Sequence, residues 1–369
     1  MKVLHICSYY LSSDLFNRLT RQLEGIDVQN DIFVPVSDGD KTYWDRSADT
    51  NENVCVARIL NQADRLLYYH KAKKIFAYLE AHYDLRSYDC VHAHSLFTNG
   101  LVAKMVKDKY GVPYVVALRN TDLNTFFKYM VMYRGTGVRI MLDSKRTVFL
   151  SAAYLERVRS QYVPADKQDL FTSKCAVIPN GIDGFWLEHK RQTPRELSAS
   201  VGVLTVGAIE RNKNQLLVAR VVRRLQDAGK AVTYTIVGDV TDAAYAEKIK
   251  SELPNVNVVP FKKKEALIDW YARNDIFAMT SYKETFGLVY AEAMSQGLPL
   301  IYTKGEGFDK QFPEGEVGFS VGPDDADGLQ TAIESILETY PAMSQNCLDG
   351  CEAFNWKTLA EQYKTIYGE

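Results

Sequence analysis

Two glutamates eight positions apart, Glu284 and Glu292, are the residues of this chain whose spacing most clearly suggests chemistry. Phe286 and Gly287 lie between them and precede an apolar stretch typical of a helix. The first turn of a helix presents unpaired backbone N–H groups and a positive dipole end, and glycine there lets a ligand approach the backbone closely. The stretch therefore has the features of an anion site with a carboxylate on each side.

The two carboxylates indicate what accompanies the anion. Glu284 would repel an anion, so we expect it to accept hydrogen bonds from neutral hydroxyls beside one. Glu292 lies about one and a half turns into the predicted helix and can reach a second set of hydroxyls. Hydroxyls, phosphate and hydroxyls follow each other in this order in a sugar–diphosphate–ribose. The alternative is an ordinary helix, with Glu284 favoured by the dipole and Glu292 on a solvated face.

The elements that would position these residues alternate between short apolar runs and helical patterns. The predicted strands are 2–7, 31–35, 89–92, 113–118 and 147–150, then 202–206, 232–237, 256–260, 275–279 and 298–302. The predicted helices are 13–24, 63–83, 97–109 and 151–161, then 213–228, 242–252, 264–272, 287–296, 325–339 and 356–367. This alternation is the βαβ signature of parallel sheets covered by helices on both faces.

The fold class predicted is α/β, with two doubly wound Rossmann-like domains facing across a cleft. A length of 369 residues suits two domains, and the Pro-, Gly- and charge-containing stretch 179–200 suits a linker. We place the domains at 1–189 and 190–352, and expect a final helix in 353–369 to pack back on the first domain. Ligands of such sheets bind at the carboxyl ends of the strands.

Composition excludes several classes of protein. The net charge of −2 gives no general signal for nucleic-acid binding. No apolar run approaches the length of a transmembrane helix, and the first residues are typical of a strand rather than of a signal peptide. The six cysteines are scattered without a zinc spacing, which favours a reduced, cytoplasmic compartment.

The stretch "ETFGLVYAEAMSQGLPLI" (284–301) resembles the retaining nucleotide-sugar glycosyltransferases of family 4, of the bacterial polysaccharide and glycoconjugate type, which have the GT-B fold. The resemblance extends to four further segments. They are "VHAHSLFTNG" (91–100), "VIPNGID" (177–183), "LTVGAIERNK" (204–213) and "TIVGD" (235–239). It implies an acceptor-binding first domain and a second domain that binds the nucleotide sugar.

The resemblance also implies residue roles. Glu284 would contact the hydroxyls of the donor sugar, Glu292 the ribose, and Lys213 the diphosphate. The family often has an arginine directly after the glycine of the first loop, but Ala208 stands there, and Arg211 is expected to compensate. The predicted donor-binding set is Gly207, Arg211, Gly238, Thr285, Phe286, Gly287, Leu288 and Glu292, and the predicted catalytic set is Glu284, Lys213 and His94.

The first domain departs from the family pattern in two places. Arg119 occupies a position where a histidine is usual, and it would contact an acceptor, contact the donor phosphate, or pair with Asp122. The glycine-rich turn after the first strand is replaced by "SYYLSSD" (8–14). The predicted acceptor-side residues are Tyr9, Tyr10, Arg119, Asn120 and Asp122.

His92 and His94 are two residues apart, so in a strand their side chains share a face. Three interpretations remain open. The pair could bind a metal, although a third ligand is not evident; His94 could face the reacting sugar, which we prefer; or both could make structural hydrogen bonds.

The predicted reaction transfers a sugar, with retention, from a nucleotide diphosphate sugar to an acceptor hydroxyl. A UDP-sugar is the expected donor, because UDP is the commonest nucleotide in the family that the chain resembles. The expected role is cell-surface polysaccharide or glycolipid synthesis. No metal and no cofactor are expected, because backbone N–H groups and Lys213 can stabilise the leaving diphosphate. The Asp-x-Asp triplets 38–40 and 325–327 are interpreted as a turn and a helix cap. The alternatives are a sugar-nucleotide epimerase of the same fold and a non-catalytic partner of another transferase.

The acceptor is expected to be a carbohydrate or a lipid-linked molecule. Segment 126–146 carries five basic residues and one acidic residue among aromatic and methionine side chains. This mixture is compatible with peripheral contact at the inner face of an anionic membrane. The alternative is a partly buried helix with a solvated edge.

Overall fold

Two parallel β-sheets organise the chain. The computed structural model describes residues 1–37, 53–65 and 67–369, so the triplet 38–40 lies outside the described residues. One compact unit contains Met1–Leu150, Tyr154–Asn180 and Trp356–Glu369, and the other contains Ser151–Ala153 and Gly181–Asn355. Each unit has its own sheet, which confirms the predicted pair of Rossmann-like α/β halves.

The first sheet has seven strands in the order β3-β2-β1-β4-β5-β6-β7, and neighbouring strands are parallel. The strands are β1 (Lys2–Ile6), β2 (Gln29–Ser37), β3 (Val54–Leu60), β4 (Cys90–Ala93), β5 (Tyr114–Ala117), β6 (Arg146–Phe149) and β7 (Cys175–Val177). The helices along this part of the chain are α1 (Asp14–Glu24), α2 (Tyr68–His82), α3 (Gly100–Tyr110), α4 (Arg134–Asp143), α5 (Ala152–Tyr162) and α6 (Gln168–Ser173).

The second sheet has six parallel strands in the order β10-β9-β8-β11-β12-β13. The strands are β8 (Val201–Val206), β9 (Val232–Val237), β10 (Asn257–Val259), β11 (Ile276–Ala278), β12 (Leu300–Thr303) and β13 (Gly318–Val321). The helices are α7 (Gly184–Glu188), α8 (Gln215–Asp227), α9 (Ala243–Glu252), α10 (Lys264–Ala272), α11 (Leu288–Ser295), α12 (Ala326–Glu338) and α13 (Tyr340–Gly350).

The last helix, α14 (Trp356–Gly368), is part of the first unit. Its apolar residues recur at helical spacing, so Leu359, Tyr363 and Ile366 share one face. That face is buried against Leu19 and Leu23 of α1 in one hydrophobic cluster. Burying side chains of this size stabilises the unit by about 1.5–3 kcal/mol each.

Segment 126–146 is not one continuous helix. Residues 122–127 form a π-helical turn, Val131–Tyr133 form a 3₁₀ turn, and α4 follows. Half of α4 is buried, whereas 128–129 and 131–132 are exposed. Within the described residues, no helix combines the length and apolar character needed to cross a bilayer.

Candidate active site

The carboxyl ends of β8, β9 and β11 meet at one edge of the second sheet, where the candidate site is built. Gly207 and Gly238 follow β8 and β9 directly. The N–H of Gly207 donates to the carbonyl of Val237 at 3.0 Å, and a Cβ at Gly238 would overlap the carbonyl of Gly207. The two loops can therefore lie this close only because glycine is present.

A cavity of about 700 Å³ opens at this edge of the second unit. Its size falls within the range of pockets that bind small molecules. Three predicted donor-binding residues line it: Gly207, Gly238 and Glu292. The cavity thus brings together the loops after β8 and β9 with a side chain of α11, whereas the other predicted donor-binding residues are not in its lining.

The start of α11 depends on Gly287. This residue has φ +76°, in the left-handed region that favours glycine, and a Cβ there would overlap the ring of Tyr290. The carbonyl of Gly287 accepts the N–H of Tyr290 at 2.9 Å, and α11 begins at Leu288. The first N–H groups of the helix lack intrahelical acceptors and are oriented for an anion. Phe286 is buried and anchors the turn before the helix.

Lys213 and Glu284, both predicted to be catalytic, are in direct contact. The Nζ of Lys213 donates to Oε2 of Glu284 at 2.7 Å, and the N–H of Thr285 donates to Oε1 of the same carboxylate at 3.1 Å. Lys213 also lies against the glycine loop, since a Cβ at Gly207 would be 3.7 Å from its Cε. The sequence pattern therefore identified a cation and an acid that the fold places side by side.

Glu292 projects from α11 into the cavity and is partly buried. The hydroxyl of Tyr271 donates to its Oε2 at 3.3 Å, and Trp186 lines the same cavity. Removal from water raises the pKa of Glu292 to about 7, while the hydrogen bond from Tyr271 opposes this rise. A carboxyl group with this pKa is poised between its neutral and ionised forms near neutral pH.

Several residues of this region were missed by sequence reasoning. Asp183 accepts the N–H of Phe185 at 2.9 Å as the N-cap of α7, and it also accepts Nζ of Lys264 at 2.7 Å. Asp183, Trp186 and Lys264 line the cavity with Glu292. Asp183 ends the motif "VIPNGID", which could have drawn attention to it, but no periodicity marks Lys264 as a cavity residue.

Arg211 does not join this cavity. Its side chain is 71% exposed, and its Nε lies 3.4 Å from Oδ2 of Asp242. It lines a separate depression together with Tyr245 and Tyr282. The expectation that Arg211 replaces the arginine missing at Ala208 is therefore not supported by its position; Ala208 itself lines the cavity.

In the first unit, Asp122 has a structural role in the turn that follows β4. It is buried and accepts the backbone N–H groups of Leu96, Phe97 and Arg119 at 3.0, 3.0 and 2.8 Å. Burial raises its pKa to about 6, although these three hydrogen bonds oppose the shift. Asp122 thus pairs with the backbone N–H of Arg119 and not with its guanidinium group.

The side chain of Arg119 points elsewhere. Its Nε donates to the carbonyl of His94 at 3.2 Å, its Nη1 donates to Oδ1 of Asn180 at 3.4 Å, and the guanidinium lies over the ring of Phe16. The other three acceptor-side candidates are dispersed. Tyr9 lines a cavity of about 190 Å³, Tyr10 is buried, and Asn120 accepts the side-chain amide of Asn124.

The histidine pair belongs to a buried stack of three. His5 of β1 is in register with His92 of β4, and its Nδ1 lies 2.9 Å from Nε2 of His94. The Nδ1 of His92 is bonded to the hydroxyl of Tyr367 at 2.6 Å, and Nε2 of His5 is bonded to Asn30 at 2.9 Å. Burial lowers the pKa of all three imidazoles, to about 4 for His5, so they are neutral.

The third histidine, absent from the sequence interpretation, completes a group in which one ring nitrogen of each histidine lies within 4.8 Å of the others. The rings of His92 and His94 stack with centroids 3.9 Å apart, and Nε2 of His94 already faces Nδ1 of His5 at 2.9 Å. His94 is 1% exposed. This placement favours the structural alternative over contact between the His94 side chain and a sugar.

Comparison with known proteins assigns both parts of the chain. Residues 15–184 match the family described as Glycosyltransferase Family 4, and residues 188–347 match Glycosyl transferases group 1. The chain is 23% identical to D-inositol 3-phosphate glycosyltransferase of Corynebacterium aurimucosum, covering 76% of this chain and 72% of that protein. It is 25% identical to the putative teichuronic acid biosynthesis glycosyltransferase TuaC of Bacillus subtilis, covering 75% and 71%.

Solved structures show the same fold. The chain superposes on HepE of Anabaena, solved in complex with UDP and glucose, with a TM-score of 0.67 and 16% identity over 100% of both chains. The two parallel-sheet units of this chain therefore have the architecture of that protein.

Proposed function

Because the chain belongs to glycosyltransferase family 4 and has the GT-B fold, we propose that it transfers a sugar from a UDP-sugar to an acceptor hydroxyl with retention of anomeric configuration. The observation that carries this proposal is the contact between Lys213 and Glu284 beside the start of α11. Glu292 lies at the other end of the same segment and lines the cavity. The HepE structure, solved with UDP and glucose, supports the choice of nucleotide.

The donor would extend along the edge of the second sheet. The ribose hydroxyls would donate to Glu292, and the diphosphate would lie against the backbone of Gly207, Gly238 and the first turn of α11. The sugar hydroxyls would then reach Glu284. This order places the negative charge of the diphosphate at unpaired N–H groups and puts acids only beside hydroxyls.

Lys213 would stabilise the leaving group. As the bond between the anomeric carbon and the phosphate oxygen breaks, negative charge grows on the diphosphate, and preorganised N–H groups and an ammonium group lower the energy of that state. Without a donor, Lys213 is neutralised by Glu284. With a donor, the diphosphate can replace Glu284 as its partner, and Glu284 can accept sugar hydroxyls. The acceptor oxygen bonds to the anomeric carbon, and its proton passes to the phosphate oxygen.

The acceptor would be a carbohydrate or a lipid-linked molecule in cell-surface polysaccharide or glycolipid synthesis. TuaC, by its name, acts in teichuronic acid biosynthesis, which is a role of this kind. Peripheral contact with the inner face of an anionic membrane would bring the first unit to such an acceptor.

That contact would use an apolar patch that we define as Leu67, Tyr69, Tyr129, Val131 and Met132. All five side chains are exposed; those of Tyr129, Val131 and Met132 are 65%, 59% and 75% exposed. Exposed apolar side chains grouped in this way mark interaction surfaces. The rest of the predicted segment contributes less, because the apolar residues Val138, Ile140 and Met141 of α4 are buried.

Tyr69 of the apolar patch contacts two residues that follow Met132 in the chain, Tyr133 and Thr136. The hydroxyl of Tyr69 lies 2.9 Å from Oγ1 of Thr136, and its ring lies 5.8 Å from that of Tyr133. The sequence from 123 to 142 contains Lys128, Arg134 and Arg139 and no acidic residue. Apolar side chains flanked by basic ones suit an anionic lipid surface.

Vesicle co-sedimentation tests the membrane proposal. We expect the wild-type protein to bind vesicles containing phosphatidylserine, to bind phosphatidylcholine vesicles weakly, and to be released by salt. The variant Y129S/V131S/M132S should lose binding, whereas L170S/L197S, which changes exposed leucines elsewhere, should retain it. Equal binding by both variants, or loss of self-association instead of vesicle binding in the first, would remove the membrane from the proposal.

The transfer reaction itself is tested by donor binding and by product analysis. Thermal unfolding with UDP-, GDP- and ADP-sugars should show stabilisation by UDP-sugars, since a ligand at one hundred times its Kd adds about 2.7 kcal/mol. NMR of the product with a competent acceptor should show a retained anomeric configuration. Conversion of the nucleotide sugar to its epimer would identify an epimerase, and the absence of donor binding would favour a non-catalytic partner.

A further inference from the structure

We propose that Glu306 is a positioning residue that fixes the backbone of Glu284 and so orients the carboxylate that meets the donor sugar. This inference rests on the proposed function. Glu306 lies in the loop after β12, within "KGEGFDK" (304–310). It is one of the few buried carboxylates of the second unit.

The loop holds Glu284 at both of its main-chain polar groups. The N–H of Glu284 donates to Oε2 of Glu306 at 2.9 Å. The carbonyl of Glu284 accepts the N–H of Gly307 at 2.9 Å. Adjacent residues of one loop thus hold the peptide groups on both sides of Glu284, which restricts the rotation of its backbone.

The close approach of the two segments is a consequence of the glycines in this loop. A Cβ at Gly307 would overlap the carbonyl oxygen of Thr285. Gly305 has φ +78°, and its N–H donates to Oδ2 of Asp309 at 2.7 Å. The loop therefore forms its own turn, and Glu306 is presented to Glu284 from a defined position.

Aromatic packing fixes the other side of the loop. The ring of Phe308 lies 4.8 Å from that of Tyr290 and 6.0 Å from that of Phe286, measured between centroids. Phe286 precedes Gly287 in the turn that starts α11. Loop and turn are thus packed together as well as hydrogen-bonded, so the position of Glu306 is coupled to that of the donor-binding turn.

The direction of the Glu284 carboxylate depends on this backbone. Its Oε1 accepts the N–H of Thr285, and its Oε2 accepts the ammonium of Lys213. If the Glu284–Thr285 peptide rotated, both contacts would change together. A displacement of about 1 Å in a positioned catalytic group can reduce the rate by about one hundredfold. The hydrogen bond between Glu306 and the backbone of Glu284 therefore affects how the Glu284 carboxylate meets the sugar, although Glu306 need not touch the sugar itself.

Kinetics of three variants test this role. We expect E306A to lower kcat by about tenfold to one hundredfold, because Glu284 loses its fixed orientation. E306Q keeps an oxygen acceptor and should retain most of the activity. The matched control is E314A, because Glu314 also accepts a backbone N–H, that of Ser320 at 2.7 Å, but outside the site. If E306A does not fold, E306D replaces it as the test variant, because the shorter side chain withdraws the carboxylate from the N–H of Glu284 by one methylene.

Binding separates positioning from a general structural effect. UDP lacks the sugar, so its affinity should be unchanged in E306A, while the additional affinity of the UDP-sugar over UDP should fall. A double-mutant cycle completes the test. The additional affinity of the UDP-sugar over UDP should be the same in E284Q and in E284Q/E306A, because Glu306 acts only through Glu284. Additive losses, or equal losses for UDP and UDP-sugar, would overturn the inference. If the wild-type protein binds and turns over no UDP-sugar, the proposed function itself fails.

Discussion

Donor binding should depend on pH through Glu292. Its carboxyl group is removed from water beside Trp186 and Tyr271, and its pKa is raised to about 7. Ribose hydroxyls donate hydrogen bonds, and the ionised carboxylate accepts them better than the neutral acid does. We therefore expect the donor to bind preferentially to the ionised form, and its affinity to rise as the pH rises through 7.

The magnitude follows from the ionised fraction. With a pKa of about 7, Glu292 is roughly 9% ionised at pH 6 and roughly 91% at pH 8. If only the ionised form binds, the apparent Kd falls by about tenfold over this interval. The suitable ligand is a UDP-sugar, because its diphosphate is esterified at both ends and does not titrate between pH 6 and 8. The terminal phosphate of UDP does titrate in this range, so the pH dependence of UDP binding would not report on Glu292 alone.

Calorimetric titration of the wild-type protein and of E292Q at several pH values between 6 and 8 provides the assay. E292Q should bind more weakly at pH 8 and show no such pH dependence. A wild-type affinity that is constant between pH 6 and 8, or an equal slope in E292Q, would refute the role assigned to Glu292.

The same group has a consequence for stability. The folded-state pKa is raised above the value of 4.5 expected in the unfolded chain, so the folded protein retains a proton that the unfolded chain releases. Its contribution to stability is complete below pH 4.5 and is lost as the pH rises through about 7. Between pH 5 and pH 7.5 the loss amounts to about 2 kcal/mol, and it should be absent in E292Q; urea unfolding of both proteins at these two pH values measures it.

Two further predictions concern the donor-binding turn. K213A should reduce kcat by about one hundredfold to one thousandfold by removing a cation from the leaving group, and a loss of less than threefold in steady-state transfer assays would contradict that role. G287A should lower the free energy of unfolding by about 1–3 kcal/mol, because alanine is strained at φ +76° and its Cβ would overlap the Tyr290 ring. G135A, where a Cβ meets open space in α4, is the control, and equal thermal stability of the two variants would show that the turn is not constrained as described.

Much of the site could be predicted because its residues are close in the chain. Glu284, Gly287 and Glu292 fall within one turn and the helix that follows it. Their spacing along the chain therefore determines on which side of the helix their side chains lie. The strands with uninterrupted apolar runs, such as β8 and β9, were predicted within a residue or two of their observed ends. Both kinds of inference depend only on periodicity and on the special conformations of glycine.

Other features depend on contacts that local pattern does not contain. The helix α13 was missed because Pro341 suggests a helix end, yet proline is compatible with the first turn, where its missing N–H has no intrahelical acceptor. Strands β3, β7 and β13 are short or only partly buried edge elements. The apolar pattern of β7 and β13 is too brief to distinguish from a loop, and β3 is mostly only partly buried.

The same limit applies to individual side chains. His5 joins His92 only because β1 and β4 are neighbours in the sheet. Glu306 reaches Glu284 across 22 positions because Gly307 permits the approach. Arg211 was expected to replace the arginine that is absent at Ala208, but the 3₁₀ turn Arg211–Lys213 directs the side chains of Arg211 and Lys213 to different surroundings.

A crystal structure of the protein with a non-transferable UDP-2-fluoro sugar would locate the donor. It should show the diphosphate at the first turn of α11 and within hydrogen-bonding distance of Lys213, the sugar hydroxyls on Glu284 and the ribose on Glu292. A donor bound elsewhere, or one whose phosphates lie away from this helix start, would contradict the proposed mode of binding.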